Sequence, residues 1–120
     1  MARTLVDKIK GTSNWQSRIG QPWTTSGVLT ASAVIKAEPG VFGGVLVIAT
    51  DTGGDIDVIV WDSPTSTLTD DERLCRVTIP STVANTMDSF GNLDSPGIEA
   101  TLGMYVQIVA GDCQVYVYYR

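Results

Sequence analysis

Short apolar runs, separated by Gly, Pro, Asp and Ser, fill the chain from residue 27 onward. In most of these runs apolar and polar residues alternate, which is typical of a β-strand that buries one face. The predicted strands span residues 27–37, 45–49, 56–61, 74–79, 98–102, 104–108 and 114–120. No segment shows the helical period over three turns. The pattern therefore predicts an all-β domain, a sandwich or a barrel, over residues 28–120.

The alternation also predicts which side chains form the core. The predicted core sets are Ala31, Ala33 and Ile35; Ile56, Val58 and Val60; Cys75, Val77 and Ile79; Met104, Val106 and Ile108; and Val115, Val117 and Tyr119. The run Val45–Ala49 is apolar on both faces, which predicts a central strand covered on both sides. On the last strand, Tyr116 and Tyr118 lie opposite the core set. They predict either a cap from a neighbouring segment or a subunit contact.

Two connections are predicted from turn residues. Asp51–Asp55 contains two adjacent glycines between apolar runs, which predicts a β-hairpin that joins the strands on either side. Ala110–Asp112 predicts a tight turn before the last strand. Residues 81–96 have no clear pattern, and they fit either a functional loop or a loop that contains a short strand.

Residues 1–27 differ from the rest of the chain in charge and pattern. The cations in this segment are Arg3, Lys8, Lys10 and Arg18. With Asp7 they give residues 1–30 a net charge of +3, whereas residues 31–120 carry −8. The segment also contains Trp15 and Trp23, large rings of a kind that is common where surfaces meet. We therefore predict an extended basic arm over residues 1–27 that binds another surface.

The composition removes most reaction classes. The chain has no His, the usual proton shuttle and the base of most Ser and Cys nucleophile systems. Cys75 and Cys113 lack metal-ligand spacing, so buried free thiols are favoured, although a single disulfide between strands stays open. No segment resembles a phosphate-binding or dinucleotide-binding loop. We expect no cofactor, no metal and no enzymatic activity.

Charge and hydropathy also limit the partners. The net charge of −5 and the pI near 4.4 argue against nucleic acid binding through the domain, because neutralising phosphates requires a basic face. No apolar run approaches the roughly 18 residues of a membrane span, and the first residues lack the apolar core of a signal peptide. We therefore expect a soluble protein that is made in a cytoplasm and does not bind a membrane.

One tripeptide suggests catalysis. Asp51-Thr52-Gly53 resembles the Asp-Thr-Gly motif of retroviral-type aspartic proteases, in which two such carboxylates, one per subunit, share a proton and activate water. Val109-Ala110-Gly111 is a poor match for the element that supports this loop in that family, so an ordinary turn is favoured. The same holds for a cation site formed by Asp51, Asp55 and Asp57, whose spacing does not fit an EF-hand loop.

Several segments, taken in order, resemble small β-sandwich proteins of tailed bacteriophages, among them capsid decoration (cement) proteins. These segments are Gly43–Val47, the glycine pair of the predicted hairpin, Val58–Ser63, Pro96–Ile98, Gly103–Val106 and Val115–Tyr119. The resemblance covers about residues 36–120. It implies a single jelly-roll-like or immunoglobulin-like antiparallel sandwich, often trimeric, on the outer shell of the virion. It also implies that the protein reinforces contacts between major capsid subunits.

The resemblance and the arm together give a specific hypothesis. The four cations of the arm bind acidic patches on neighbouring capsid subunits, and Trp15 and Trp23 insert as apolar anchors. Three alternatives stay open: a structural protein of the tail or the head–tail junction, a protease that uses Asp51, and a carbohydrate-binding module. The last would stack sugars on Trp61 or on the tyrosines.

Overall fold

The computed structural model describes residues 23–68, 72–80, 82–91 and 96–120. These residues form nine β-strands and no helix. The strands are β1 (Thr24–Thr25), β2 (Ala33–Lys36), β3 (Gly40–Ala49), β4 (Ile56–Asp62), β5 (Glu72–Ile79), β6 (Met87–Gly91), β7 (Ile98–Ala100), β8 (Met104–Ala110) and β9 (Cys113–Tyr119). Every pairing between these strands is antiparallel, which confirms the predicted fold class.

The strands form two sheets that pack face to face. Sheet A has the order β1-β9-β3-β6, with β7 also paired to β3, and sheet B has the order β2-β8-β4-β5. Strands from the two ends of the sequence pair with each other, and the pairing continues toward the middle of the sequence: β1 with β9, β2 with β8, β3 with β6 and β7, and β4 with β5. This is the arrangement of a jelly roll, one of the two sandwich types implied by the resemblance.

The core lies between the sheets and contains most of the predicted alternating sets, with Ile35, Ile108 and Tyr119 packed at its border. The prediction is wrong for Ala31, which is exposed, and for Ala33, which is half-buried, because β2 lies at the edge of sheet B. Val58, Val60, Val106, Val115 and Val117 have no exposed surface. Side chains of this kind each contribute about 1.5–3 kcal/mol when they leave water, so the core is the main source of stability. The two cysteines lie in the same core as free thiols, which confirms that interpretation of their spacing.

The predicted hairpin at Asp51–Asp55 is wrong, because the strands that it joins lie in different sheets. β3 pairs with β9, β6 and β7 in sheet A, whereas β4 pairs with β5 and β8 in sheet B. The loop reverses the chain, and Gly53 has a φ of +131°, which favours glycine. Turn residues determine where a chain reverses, but the partner strand depends on which long-range pairing buries more apolar surface. The predicted turn at Ala110–Asp112 likewise carries the chain from sheet B to sheet A.

Hydrogen bonds to Thr82 fix the loop that connects β3 of sheet A to β4 of sheet B. The Thr82 hydroxyl donates to the carbonyl of Gly54 over 2.9 Å, and the backbone N–H of Gly53 donates to the carbonyl of Thr82 over 2.8 Å. The segment that follows contains β6, so the open question about residues 81–96 is answered by a short strand. All residues of β6 are exposed at the edge of sheet A, and its sequence therefore lacks the alternation that reveals the other strands.

A buried carboxylate joins the end of β4 to the loop between β7 and β8. Asp62 is 4% exposed. It accepts hydrogen bonds from the backbone N–H and the hydroxyl of Thr101 (2.9 Å each) and from the N–H groups of Leu102 (2.8 Å) and Gly103 (3.2 Å). Burial alone would raise the pKa of Asp62, but these hydrogen bonds outweigh it, and the pKa lies below its ordinary value.

We expect Asp62→Asn to destabilise the fold by about 2–3 kcal/mol. The amide would turn N–H groups toward backbone N–H donors and would remove the charge that strengthens the remaining bonds. Urea unfolding at neutral pH measures the loss. Asp51→Asn is the matched control, because Asp51 is exposed, and its effect should stay within about 0.5 kcal/mol.

The same carboxylate makes part of the stability depend on pH. Because the pKa of Asp62 is lower in the folded chain than its ordinary value of 3.8, the stabilisation is complete above that value and is lost as the pH falls through the folded pKa. The free-energy difference between wild type and Asp62→Asn should therefore be smaller near pH 3 than near pH 7. A difference that does not change with pH would contradict this role of the carboxylate.

Candidate interaction surface

Sheet A presents an apolar face on the side away from the core. The pairing register aligns the outward residues of neighbouring strands in rows, so that their side chains are in contact distance. Leu46 of β3 lies beside Tyr116 of β9, and Ile48 of β3 lies beside Met87 of β6. The rows produce one uncharged patch across three strands, in which Ser89 lies on the other side of Leu46 and Gln114 on the other side of Ile48.

This patch is named the sheet A face. It comprises Val41, Leu46, Ile48, Met87, Tyr116, Tyr118 and, at one corner, Trp23. Met87 is 61% exposed and the others are half-buried. Among the described residues, no third layer of strands covers this face. Its charged neighbours, Glu99 and Arg120, lie beside Val41 at one end, so the centre of the face is uncharged.

The Trp23 ring packs in a space that exists because Gly43 and Gly97 have no side chains, and this position is called the Trp23 seat. A Cβ atom on Gly43 would lie 2.7 Å from the Trp23 ring, and one on Gly97 would lie 3.0 Å from it. The guanidinium carbon of Arg120 lies 3.9 Å from the ring centroid, a distance typical of a cation–π contact. These contacts hold the indole against the end of sheet A.

The structure places Trp23, Tyr116 and Tyr118, which the sequence predicted to bind a partner, on this one face. The other predicted residues, Arg3, Lys8, Lys10, Trp15 and Arg18, lie outside the described residues. Part of the predicted arm, residues 1–27, belongs to the sandwich, because Thr24 and Thr25 pair with β9. Trp23 therefore packs against its own sheet at the point where the segment of residues 1–22 joins the domain.

Sequence reasoning did not single out Leu46, Ile48 or Met87, although one signal was present. The run Val45–Ala49 is apolar on both faces, and that pattern predicts cover on both sides. Among the described residues only the core side is covered, because Val47 is fully buried whereas Leu46 and Ile48 are half-buried. In a domain of two layers, a strand that is apolar on both faces therefore also indicates a contact surface.

The outer face of sheet B differs because its aromatic side chains have polar partners. The indole N–H of Trp61 donates to the side-chain oxygen of Gln107 over 2.9 Å. The guanidinium of Arg73 lies 5.9 Å from the centroid of the Trp61 ring. Tyr105, which pairs with Trp61, is only 8% exposed. Trp61, one of the rings that a carbohydrate-binding module would use, is therefore already engaged by this chain's own side chains, whereas Tyr116 and Tyr118 lie on sheet A.

An ion pair completes the polar cover of sheet B. Arg76 donates to both carboxylate oxygens of Asp57, over 2.8 and 2.7 Å, and this hydrogen bonding holds the pKa of Asp57 below its ordinary value. Ile59 lies beside Arg76 in the register and is only 8% exposed. Sheet B thus covers part of its outward apolar surface with its own polar side chains, although Val34 and Val109 stay exposed. Among the described residues, no such polar pairs lie over Leu46 and Ile48 of sheet A.

The residues considered for catalysis and metal binding do not form a reactive cluster in the described part of the chain. Asp51 lies on an exposed loop, where its carboxylate accepts the N–H of Thr52 over 2.8 Å. Asp57 is paired with Arg76, and no group of three metal-binding side chains is found among the described residues. Burial raises the pKa of the Cys75 thiol to about 12, which leaves it protonated and unreactive.

Comparison with models of known protein families, with curated proteins and with solved structures gives no match. In the residues that the structure describes, no helix is long and apolar enough to cross a membrane. The chemistry of the two outer faces is therefore the observation from which a function is argued.

We expect Gly43→Ala to displace Trp23 from its seat, because the added methyl group would overlap the ring. In a two-dimensional NMR spectrum of the ¹⁵N-labelled protein, the indole N–H resonance of Trp23 should shift while that of Trp61 stays in place. Gly54→Ala is the control, since a Cβ atom at Gly54 meets nothing within 4 Å. An unchanged Trp23 resonance in Gly43→Ala would show that the seat does not position the indole.

Proposed function

We propose that the protein is a structural virion protein, a capsid decoration or cement protein that binds the outer capsid surface and reinforces contacts between major capsid subunits. The observation that carries the proposal is the sheet A face. It is a tyrosine-bearing sheet surface whose centre is uncharged and, among the described residues, is not covered by a further layer, and it adjoins Trp23, which directly follows the basic segment of residues 1–22.

The geometry favours contact over chemistry. Tyr116 and Tyr118 present large ring areas with a hydroxyl tip, and tyrosine is enriched at protein interfaces for this reason. Their backbone is held in the centre of sheet A, since β9 pairs with β3 on one side and with β1 on the other. Such a surface needs little reordering when it binds, which lowers the entropic cost of association.

The segment of residues 1–22 supplies the proposed attachment to the capsid, whereas the sheet A face supplies a contact surface within the assembly. The segment carries all the cations of the predicted arm, whereas residues 31–120 carry −8. The proposed partner is therefore an acidic patch on the major capsid protein, which Lys8 and Lys10 bind together with the other cations while Trp15 inserts as an apolar anchor. Trp23, seated on sheet A, joins this segment to the rigid domain.

The proposal sets the remaining expectations. The partners are the major capsid protein and other copies of this chain, with the trimer of the resembled family as the expected assembly. Nucleic acid and membrane are not expected partners. The location is the outer surface of the virion, after assembly in the host cytoplasm. A jelly roll occurs in viral capsid proteins and in lectins alike, so the fold supports this role without deciding it.

The test uses particles purified on a density gradient from cells that produce this chain, and particles from cells in which its gene is disrupted. The recombinant full chain should bind to the deficient particles at a fixed number of copies per particle, measured by quantitative gel. Microscopy of gold-labelled protein should place it on the head. Absence from the particles, or a location restricted to the tail, would contradict the proposal.

A paired set of variants tests the basic segment. Replacing both Lys8 and Lys10 by Gln should lower the retained copies at least about tenfold at moderate salt, because the loss of two interfacial cations weakens the electrostatic attraction. Replacing both Lys36 and Arg73 by Gln changes the net charge equally but on the sandwich, and it should leave binding unchanged. Equal losses in both variants would mean that net charge, and not the segment, governs binding.

A further inference from the structure

The distribution of charge decides which surface of this acidic chain can meet another copy of itself. Each copy carries a net charge of −5, so two copies repel each other at long range. Among the described residues, the acidic side chains lie on loops (Glu38, Asp51, Asp55 and Asp112), on sheet B (Asp57, Asp62 and Glu72) or at the edges of sheet A (Asp88 and Glu99). The centre of the sheet A face carries none of them.

Contact at the same face would also release ordered water from apolar surface. Leu46 and Ile48 lie in its central strand, and Tyr116 and Tyr118 lie in the next strand. Burial of such side chains is favourable in proportion to the area removed from water. On sheet B, by contrast, a second copy would have to disturb the Arg76–Asp57 ion pair and the Trp61–Gln107 hydrogen bond.

We propose that the sheet A face binds the same face of a second copy of this chain. The two sheets pack about 10 Å apart, as the sheets of a sandwich do, with Leu46 and Ile48 in the middle of the contact. The tyrosine hydroxyls then lie toward the rim, where they donate hydrogen bonds to the neighbouring copy or to water. A face that binds itself in this way is the usual contact of symmetric oligomers.

The area of the face sets the strength of the contact. Four strands about 4.8 Å apart and the seven residues of β9, at about 3.3 Å each, give roughly 400 Å² in projection. A standard interface takes about 800 Å² from each partner, so this contact belongs to the weak class. Copies held at neighbouring sites on a particle would associate readily, because tethering raises their effective concentration. This last step rests on the proposed function, whereas the contact itself does not.

Sedimentation velocity of the full chain, from about 10 µM to about 1 mM, tests the contact. The apparent mass of the wild type should rise with concentration toward two chains, because a face that binds the same face of a second copy is filled by one partner. Leu46→Lys should weaken self-association at least about tenfold, because it places a charge in the middle of an apolar contact. Val34→Lys is the matched control, since Val34 is 43% exposed and pairs with Tyr105 on the outer face of sheet B, and it should associate as the wild type does.

Cross-linking keeps the proposal testable if Leu46→Lys fails to fold. Tyr116→Cys places a thiol on the sheet A face, while Cys75 and Cys113 are buried. A short bis-maleimide should join Tyr116→Cys chains into covalent pairs at high concentration and should leave Val34→Cys chains monomeric, since sheets about 10 Å apart hold the thiols too far apart for a direct disulfide. Equal cross-linking of both variants would overturn the proposal.

Three sedimentation results would also overturn it. These are a wild type that stays monomeric at every concentration, a folded Leu46→Lys that associates like the wild type, and association that depends on Lys8 and Lys10 but not on Leu46. The last result would identify residues 1–22 as the contact.

Particle binding, measured on the same variants, separates this inference from the proposed function. Self-association without particle binding refutes only the function, and particle binding without self-association refutes only the inference.

Discussion

Two layers of strands can bury only one face of each sheet, and this limit governs the rest of the structure. The nine described strands build two sheets around a single core, and none of them remains to form a third layer. Every outward residue must therefore be polar, be covered by its neighbours or meet another molecule. The two sheets satisfy this requirement in different ways, and the difference is the basis for assigning a function.

Sheet B satisfies the requirement in part within the chain. Its long side chains hydrogen bond with one another over the apolar residues below them, and Arg76 with Asp57 is the clearest pair, although Val34 and Val109 stay exposed. Among the described residues, sheet A has no such polar pairs over Leu46 and Ile48, which are half-buried in a strand at the centre of the sheet. An apolar centre of this kind lowers solubility unless a partner covers it, so its presence supports a protein that works in an assembly.

Much of the fold could be predicted from the sequence, because burial of one face leaves a local period of two. The core positions of β4, β8 and β9 followed from that alternation. Strand pairing could not be predicted. The glycines after β3 indicate that the chain reverses there, but they do not determine which strand pairs with β3, and β4 lies in the other sheet. β6 was left open because no face of it is buried.

The hydrogen bonds of Asp62 and the packing of Trp23 on Gly43 could not be predicted either, because each depends on groups that are distant in sequence and adjacent only in the fold. For the contact surface, the two tyrosines were informative, whereas the seat of Trp23 required the structure.

The loop held by Thr82 offers a use outside the protein's own role. It lies at the end of β9 opposite to Trp23, because Ala49, which precedes the loop, pairs with Cys113, whereas Trp23 lies beside the other end of that strand. Gly53 and Gly54 have open space around them, and both are bonded through their backbones to Thr82. If a foreign peptide were inserted between these glycines, the existing backbone hydrogen bonds to Thr82 would hold the residues at both of its ends in place. It would be displayed at the end of sheet A opposite to Trp23, so the sandwich could serve as a carrier for epitopes.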